Sequence, residues 1–112
     1  MNPQMPEPKT LLDKVWDRHV IAEETGAPTV FYIDLHLIHE VTSPQAFAGL
    51  RSRGIKVRRP DKSIATMDHS TPTLPPSLAP VIDVQANAQL EQLKVNCKEF
   101  GIKLFELGSP KN

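Results

Sequence analysis

Apolar residues recur at helical spacing near the start of the chain, at Leu11, Leu12, Val15, Trp16 and Val20. Thr10 stands where it can cap the first turn, with Asp13 three residues on, so the pattern predicts a helix from about Leu11 to Glu23. Gly26 and Pro28 break it, and the β-branched and aromatic run Thr29 to Ile33 predicts a mostly buried strand, with Asp34 to His39 at or beyond its carboxyl end. A second helix is expected near Pro44, capped by Thr42 or Ser43 and stopped by Gly54, with Ala46, Phe47 and Leu50 as its buried stripe. Ile55 to Arg59 reads as a short strand ended by Pro60. Ile64 to Met67 is a second apolar run, which places Asp68 and His69 where a strand gives way to a loop. Pro72, Pro75, Pro76 and Pro80 exclude regular structure between Thr71 and Pro80. A third helix fits Gln85 to Phe100, with Ala86, Leu90, Leu93, Cys97 and Phe100 on one face and Gly101 as terminator, and Ile102 to Leu107 reads as a last strand.

Helix, strand, helix, strands, helix, strand is the rhythm of an α/β layer fold with a partly parallel sheet. So few strands leave apolar faces and an open edge uncovered, so an interrupted rather than a self-sufficient domain is expected.

Composition narrows the partners. Thirteen basic and thirteen acidic residues among 112 cancel, so no long-range field draws the chain to nucleic acid or an anionic membrane. No apolar stretch reaches the roughly 20 residues of a membrane span, and Met1 to Pro8 has no apolar signal core, so a cytoplasmic chain is expected. The single cysteine, Cys97, excludes an internal disulfide and falls short of a zinc or iron–sulfur ligand set. No metal site is expected within the chain.

Four histidines are the first candidates for chemistry: His19, His36, His39 and His69. His19 falls near the end of the first helix, where a cation favours the dipole. His36 and His39, three apart, lack a third ligand for a metal and are expected to bond locally. Asp68-His69 reads either as loop support or as an acid–base pair, since a carboxylate beside an imidazole fixes its tautomer, and strand ends are where α/β folds bind ligands. Arg58 and Arg59 could grip a carboxylate bidentately, or be solvated.

Ile33-Asp34-Leu35-His36-Leu37-Ile38-His39-Glu40-Val41-Thr42-Ser43-Pro44-Gln45-Ala46-Phe47, then Lys56 to Asp61, Ala65-Thr66-Met67-Asp68-His69 and Asn96-Cys97-Lys98-Glu99-Phe100-Gly101-Ile102, stand in an order and spacing that carry further meaning. Together with Thr10 to Asp17 they closely resemble the start of the large subunits of the 3-isopropylmalate dehydratases, in the aconitase family. The resemblance runs from Thr10 to Pro110.

It implies a hydro-lyase interconverting 2- and 3-isopropylmalate in leucine biosynthesis through dehydration and rehydration. The resemblance also implies a [4Fe-4S] cluster in the complete enzyme, held by three downstream cysteines and so not bound by this chain alone, and a small-subunit partner that supplies a serine base. By the same resemblance His69 protonates the departing hydroxyl, Asp68 orients it, and Glu40 stands where the wider family has a substrate-touching glutamine. Two residues depart from the family pattern: Leu35 replaces an arginine and Ser70 an asparagine. The implied organisation is a flexible tail over residues 1–9 and, over 10–112, the truncated amino-terminal part of a three-layer α/β/α domain with an incomplete mixed or parallel sheet. Such a piece is expected to be inactive alone and to need the rest of the large subunit, the small subunit and a hydroxy dicarboxylic acid substrate. A non-catalytic binding module and a decayed remnant are the alternatives.

Overall fold

The computed structural model describes residues 7–81 and 83–112, so most of the expected tail, residues 1–6, lies outside them. By internal packing the chain divides into two units, Met1–Asp34 and Leu35–Asn112.

In the first unit Thr10 and Asp13 cap each other. The Asp13 amide donates to Thr10 Oγ1 at 3.1 Å, and the Thr10 amide donates to Asp13 Oδ2 at 2.9 Å. This reciprocal cap opens α1 (Leu11–His19). The helix stops short of the expected Glu23, because Val20 is already extended and begins β1 (Val20–Ala22). β1 pairs antiparallel with β2 (Val30–Phe31), Val20 opposite Phe31 and Ala22 opposite Val30. Two β-branched residues in succession, Val20 and Ile21, favour that extended path over another helical turn. The buried strand expected over Thr29 to Ile33 is corrected here: it shrinks to one arm of a short ribbon, in which Val30 is half exposed. A two-stranded ribbon has no second layer to bury it. Trp16 packs edge-on against Phe31, ring centroids 4.4 Å apart, and ties the helix to the ribbon.

The second unit is built on a parallel sheet. β3 (His36–Ile38) forms within the stretch that was placed at or beyond the carboxyl end of the expected Thr29–Ile33 strand, β4 (Ser63–Thr66) lies at the centre, and β5 (Lys103–Phe105) flanks it, in the order β3-β4-β5. Helices α2 (Ser43–Ser52) and α3 (Val84–Phe100) make the crossovers that parallel neighbours require. Pro44 sits in the first turn of α2, where its missing amide is no loss. Asp83 caps α3 through the Ala86 amide at 2.7 Å, and Gly101, at φ 70°, ends it in the left-handed conformation that glycine tolerates best. The strand expected over Ile55 to Arg59 does not form. That stretch is a loop, and Pro60, which cannot donate to a ladder, opens a 3₁₀ turn over Pro60–Lys62.

Ile38, Ala65 and Leu104 make one row across the three strands, and this face meets Phe47 of α2 with Leu90, Leu93 and Cys97 of α3. Phe47 and Phe100 join the helices, ring centroids 5.1 Å apart. Arg51 of α2 adds a fork onto Glu99, 3.1 Å from Nε to Oε1, and donates from Nη2 to the side-chain Oδ1 of the buried Asn96 of α3 at 2.9 Å. On the opposite sheet face Leu37 is largely exposed. Among the described residues no helix is long and apolar enough to cross a membrane.

Candidate active site

Parallel strands deliver their following residues to one end of a sheet, and that end is where α/β folds place ligands. β3 runs directly into His39 and Glu40, while β4 runs through Met67 into Asp68, His69 and Ser70. The pairing of Ile38 with Ala65 therefore brings two segments, about 30 positions apart in sequence, side by side.

Glu40 is wholly buried. Its Oε2 accepts the Asp68 amide at 3.0 Å, and its Oε1 accepts the His69 amide at 2.6 Å and the Ser70 amide as well. Burial opposes the charge, but the amides of Ser70, Glu40 itself, Asp68 and His69 outweigh it and hold the carboxyl below its usual range. Both oxygens of the residue expected to touch substrate are thus turned onto loop backbone.

His69 is half exposed and lies with Nδ1 3.3 Å from Asp68 Oδ2. Its ring stacks on His39, centroids 3.9 Å apart and planes 13° from parallel. His39 is itself held: its Nδ1 accepts the Val41 amide at 3.3 Å, its Nε2 lies 3.5 Å from Thr42 Oγ1, and its carbonyl accepts the Ser43 hydroxyl at 2.5 Å. A ring nitrogen that accepts an amide carries no proton, so the arrangement assigns His39 the neutral tautomer with hydrogen on Nε2. On the far side of the loop the Ser70 hydroxyl donates to Gln89 Oε1 of α3 at 2.5 Å. Ser70 is therefore bonded at both its amide and its hydroxyl.

The structure brings together Asp68, His69 and Glu40, and sets beside them His39, a candidate that was expected to bond locally and does so to Val41, Thr42 and Ser43, together with Gln89, which sequence reasoning left out. The other candidates fall elsewhere. His19, in the first unit, sets Nδ1 2.6 Å from the Val15 carbonyl and Nε2 2.9 Å from Asp34 Oδ2, and its pKa is raised by the Val15 carbonyl first and Asp34 second. His36 and Arg58 line an apolar groove of about 450 Å³ between β3 and α2, bordered by Phe47 and Leu50. Arg59 is forked onto Asp61, at 2.9 Å and 2.6 Å.

The donor set does not suit an iron–sulfur cluster. Such clusters are usually held by several thiolates, and Cys97 is the chain's only cysteine; it is buried in the core, where desolvation pushes its thiol up to about 11. Among the described residues no three histidine, cysteine or acidic side chains converge as a metal site.

A model of the aconitase family (aconitate hydratase) matches residues 13–110, and the chain belongs to that family. Within it the chain is 63% identical over 106 residues to the 3-isopropylmalate dehydratase large subunit of Roseiflexus castenholzii, covering 91% of this chain and 22% of that one. It is 57% identical over 106 residues to the large subunit of the same name from Anaeromyxobacter dehalogenans, with the same coverage of each chain. The Listeria monocytogenes large subunit is 54% identical over 101 residues, covering 90% of this chain and 21% of that one. The chain thus spans about a fifth of the length of these curated relatives. No solved structure matches it.

Proposed function

We propose that this chain supplies the opening segment of the large subunit of a 3-isopropylmalate dehydratase, a hydro-lyase that moves a hydroxyl between adjacent carbons of isopropylmalate in leucine biosynthesis. What carries the reading is identity of 54 to 63% with three such subunits across the segment that contains the Asp68-His69 strand end. In this reading the imidazolium of His69 gives a proton to the departing hydroxyl, which leaves as water. The neutral ring then takes a proton from the water that adds back at the neighbouring carbon. Asp68, beside Nδ1, holds the ring with Nε2 towards the substrate and steadies its charged form. Aconitase-family membership brings with it a [4Fe-4S] cluster in the complete enzyme; its thiolates must come from residues other than these, and likewise the partner small subunit and the base that removes the carbon-bound proton lie outside the chain.

The test is made in the complete two-subunit enzyme with turnover expressed per cluster. His69→Ala should lower turnover by about 10²–10⁴-fold, the usual contribution of a positioned acid. Asp68→Asn should lower it too while leaving cluster content unchanged. Turnover of His69→Ala near that of the unaltered enzyme would defeat the assignment.

A further inference from the structure

We infer that Glu40 is a positioning residue, a buried clamp that fixes the backbone carrying Asp68 and His69, and that it does not meet the substrate. The inference rests on the reading of that pair as catalytic, and it departs from the substrate contact that the family position suggests.

A carboxylate stripped of water is costly unless its lone pairs are filled. Here they are filled by three successive amides of one loop, those of Asp68, His69 and Ser70. Three consecutive N–H groups can point at one acceptor only when the intervening backbone curls into a nest, so the bonds dictate where the Cα–Cβ bonds of Asp68 and His69 point. The neighbouring residue on the same strand end, His39, then provides the surface against which the His69 ring lies. Glu40 sets the root of the imidazole and His39 sets its plane. Gln89 closes the loop from the other side through the Ser70 hydroxyl. The carboxylate itself has neither exposed surface nor an idle oxygen with which to bind a ligand.

Acting through His69 has a signature that a general loss of stability lacks. In the cluster-loaded two-subunit enzyme, Glu40→Gln keeps the shape but turns an amide NH₂ towards donors, and it should lower kcat by about 10²-fold, the scale of a small misplacement, with KM nearly unchanged. In an enzyme already carrying His69→Ala the same change should cost almost nothing further, because the group being positioned is gone. Independently of activity, hydrogen–deuterium exchange of the segment Met67–Thr71 should quicken in Glu40→Gln. Glu40→Asp, which keeps the charge but is one methylene shorter, should show the same kcat loss where Glu40→Gln does not fold. A raised KM with kcat intact would put Glu40 on the substrate and overturn the inference, as would equal fold-losses with and without His69, or unchanged exchange. If His69→Ala alone left turnover unaltered, the catalytic reading would fall, while exchange would still judge the clamp.

Discussion

The imidazole of His69 lies flat on that of His39, with ring centroids 3.9 Å apart and planes 13° from parallel. A ring held on one face by a neighbour keeps fewer orientations than one held only by its Cβ, and His39 can serve as that neighbour because Val41 and Thr42 hold its own nitrogens.

His39→Ala should therefore lower turnover of the assembled enzyme, by up to about tenfold, through loss of ring orientation. His39→Phe, which restores a flat surface without a titratable nitrogen, should recover most of it. Equal losses in the two variants would show that the nitrogens of His39, and not its face, matter.

His19 should titrate above the ordinary 6.5, since only the charged ring can donate from both nitrogens, to Val15 and to Asp34. Its folded value exceeds its unfolded one, so the stability it lends is fully present below pH 6.5 and is lost as pH rises through the raised value. Proton NMR of the ring Hε1 should show this, and Asp34→Asn should bring the midpoint down. A midpoint at 6.5 or lower in the unaltered chain would contradict the two bonds.

Leu93 is completely buried among the sheet, Phe47 and Cys97. Leu93→Ala should destabilise the second unit by about 2–5 kcal/mol, as transfer and cavity terms add. Denaturant unfolding gives the number, and a loss below about 0.5 kcal/mol, as at exposed sites, would show that this core is not packed as described.

Cys97 should resist alkylation. Its thiol is pushed up to about 11 by burial, so at pH 8 the folded chain holds almost no thiolate, whereas the unfolded chain has an ordinary cysteine. Iodoacetamide labelling followed by mass spectrometry should therefore track unfolding. Labelling at the same rate with and without denaturant would mean that the α3 face is open.

Much of this was legible in the chain because the signals were local. The Thr10–Asp13 cap, the glycine stop at Gly101 and the Leu90-Leu93-Cys97 stripe each depend on residues within a few positions of one another, and each is found in the structure. The place of Asp68 and His69 at a strand end followed from the same kind of reading. Strands were harder, since a short apolar run does not say what it will pair with. Thr29 to Ile33 looked like core but found only a three-residue partner, Ile55 to Arg59 found none, and His36–Ile38 became a sheet strand because β4 lay beside it. The Glu40 clamp had no local sign at all. A glutamate after His39 announces nothing about amides about 30 positions away until the strands are aligned.

Alignment is what that glutamate then reinforces. β3 and β4 meet over three residue pairs, His36 with Ser63, Leu37 with Ile64 and Ile38 with Ala65, and burial of Ile38 with exposure of Leu37 already favours that alignment. Side chains alternate along a strand, so sliding β3 by one position would turn Leu37 towards the helices and swing residue 40 to the other face. In that slipped pairing a carboxylate would face no amides and would have to shed its water unrewarded or drag the strand end back into solvent. Glu40 thus favours the register that is found, because it is there that its carboxylate meets the Asp68, His69 and Ser70 amides.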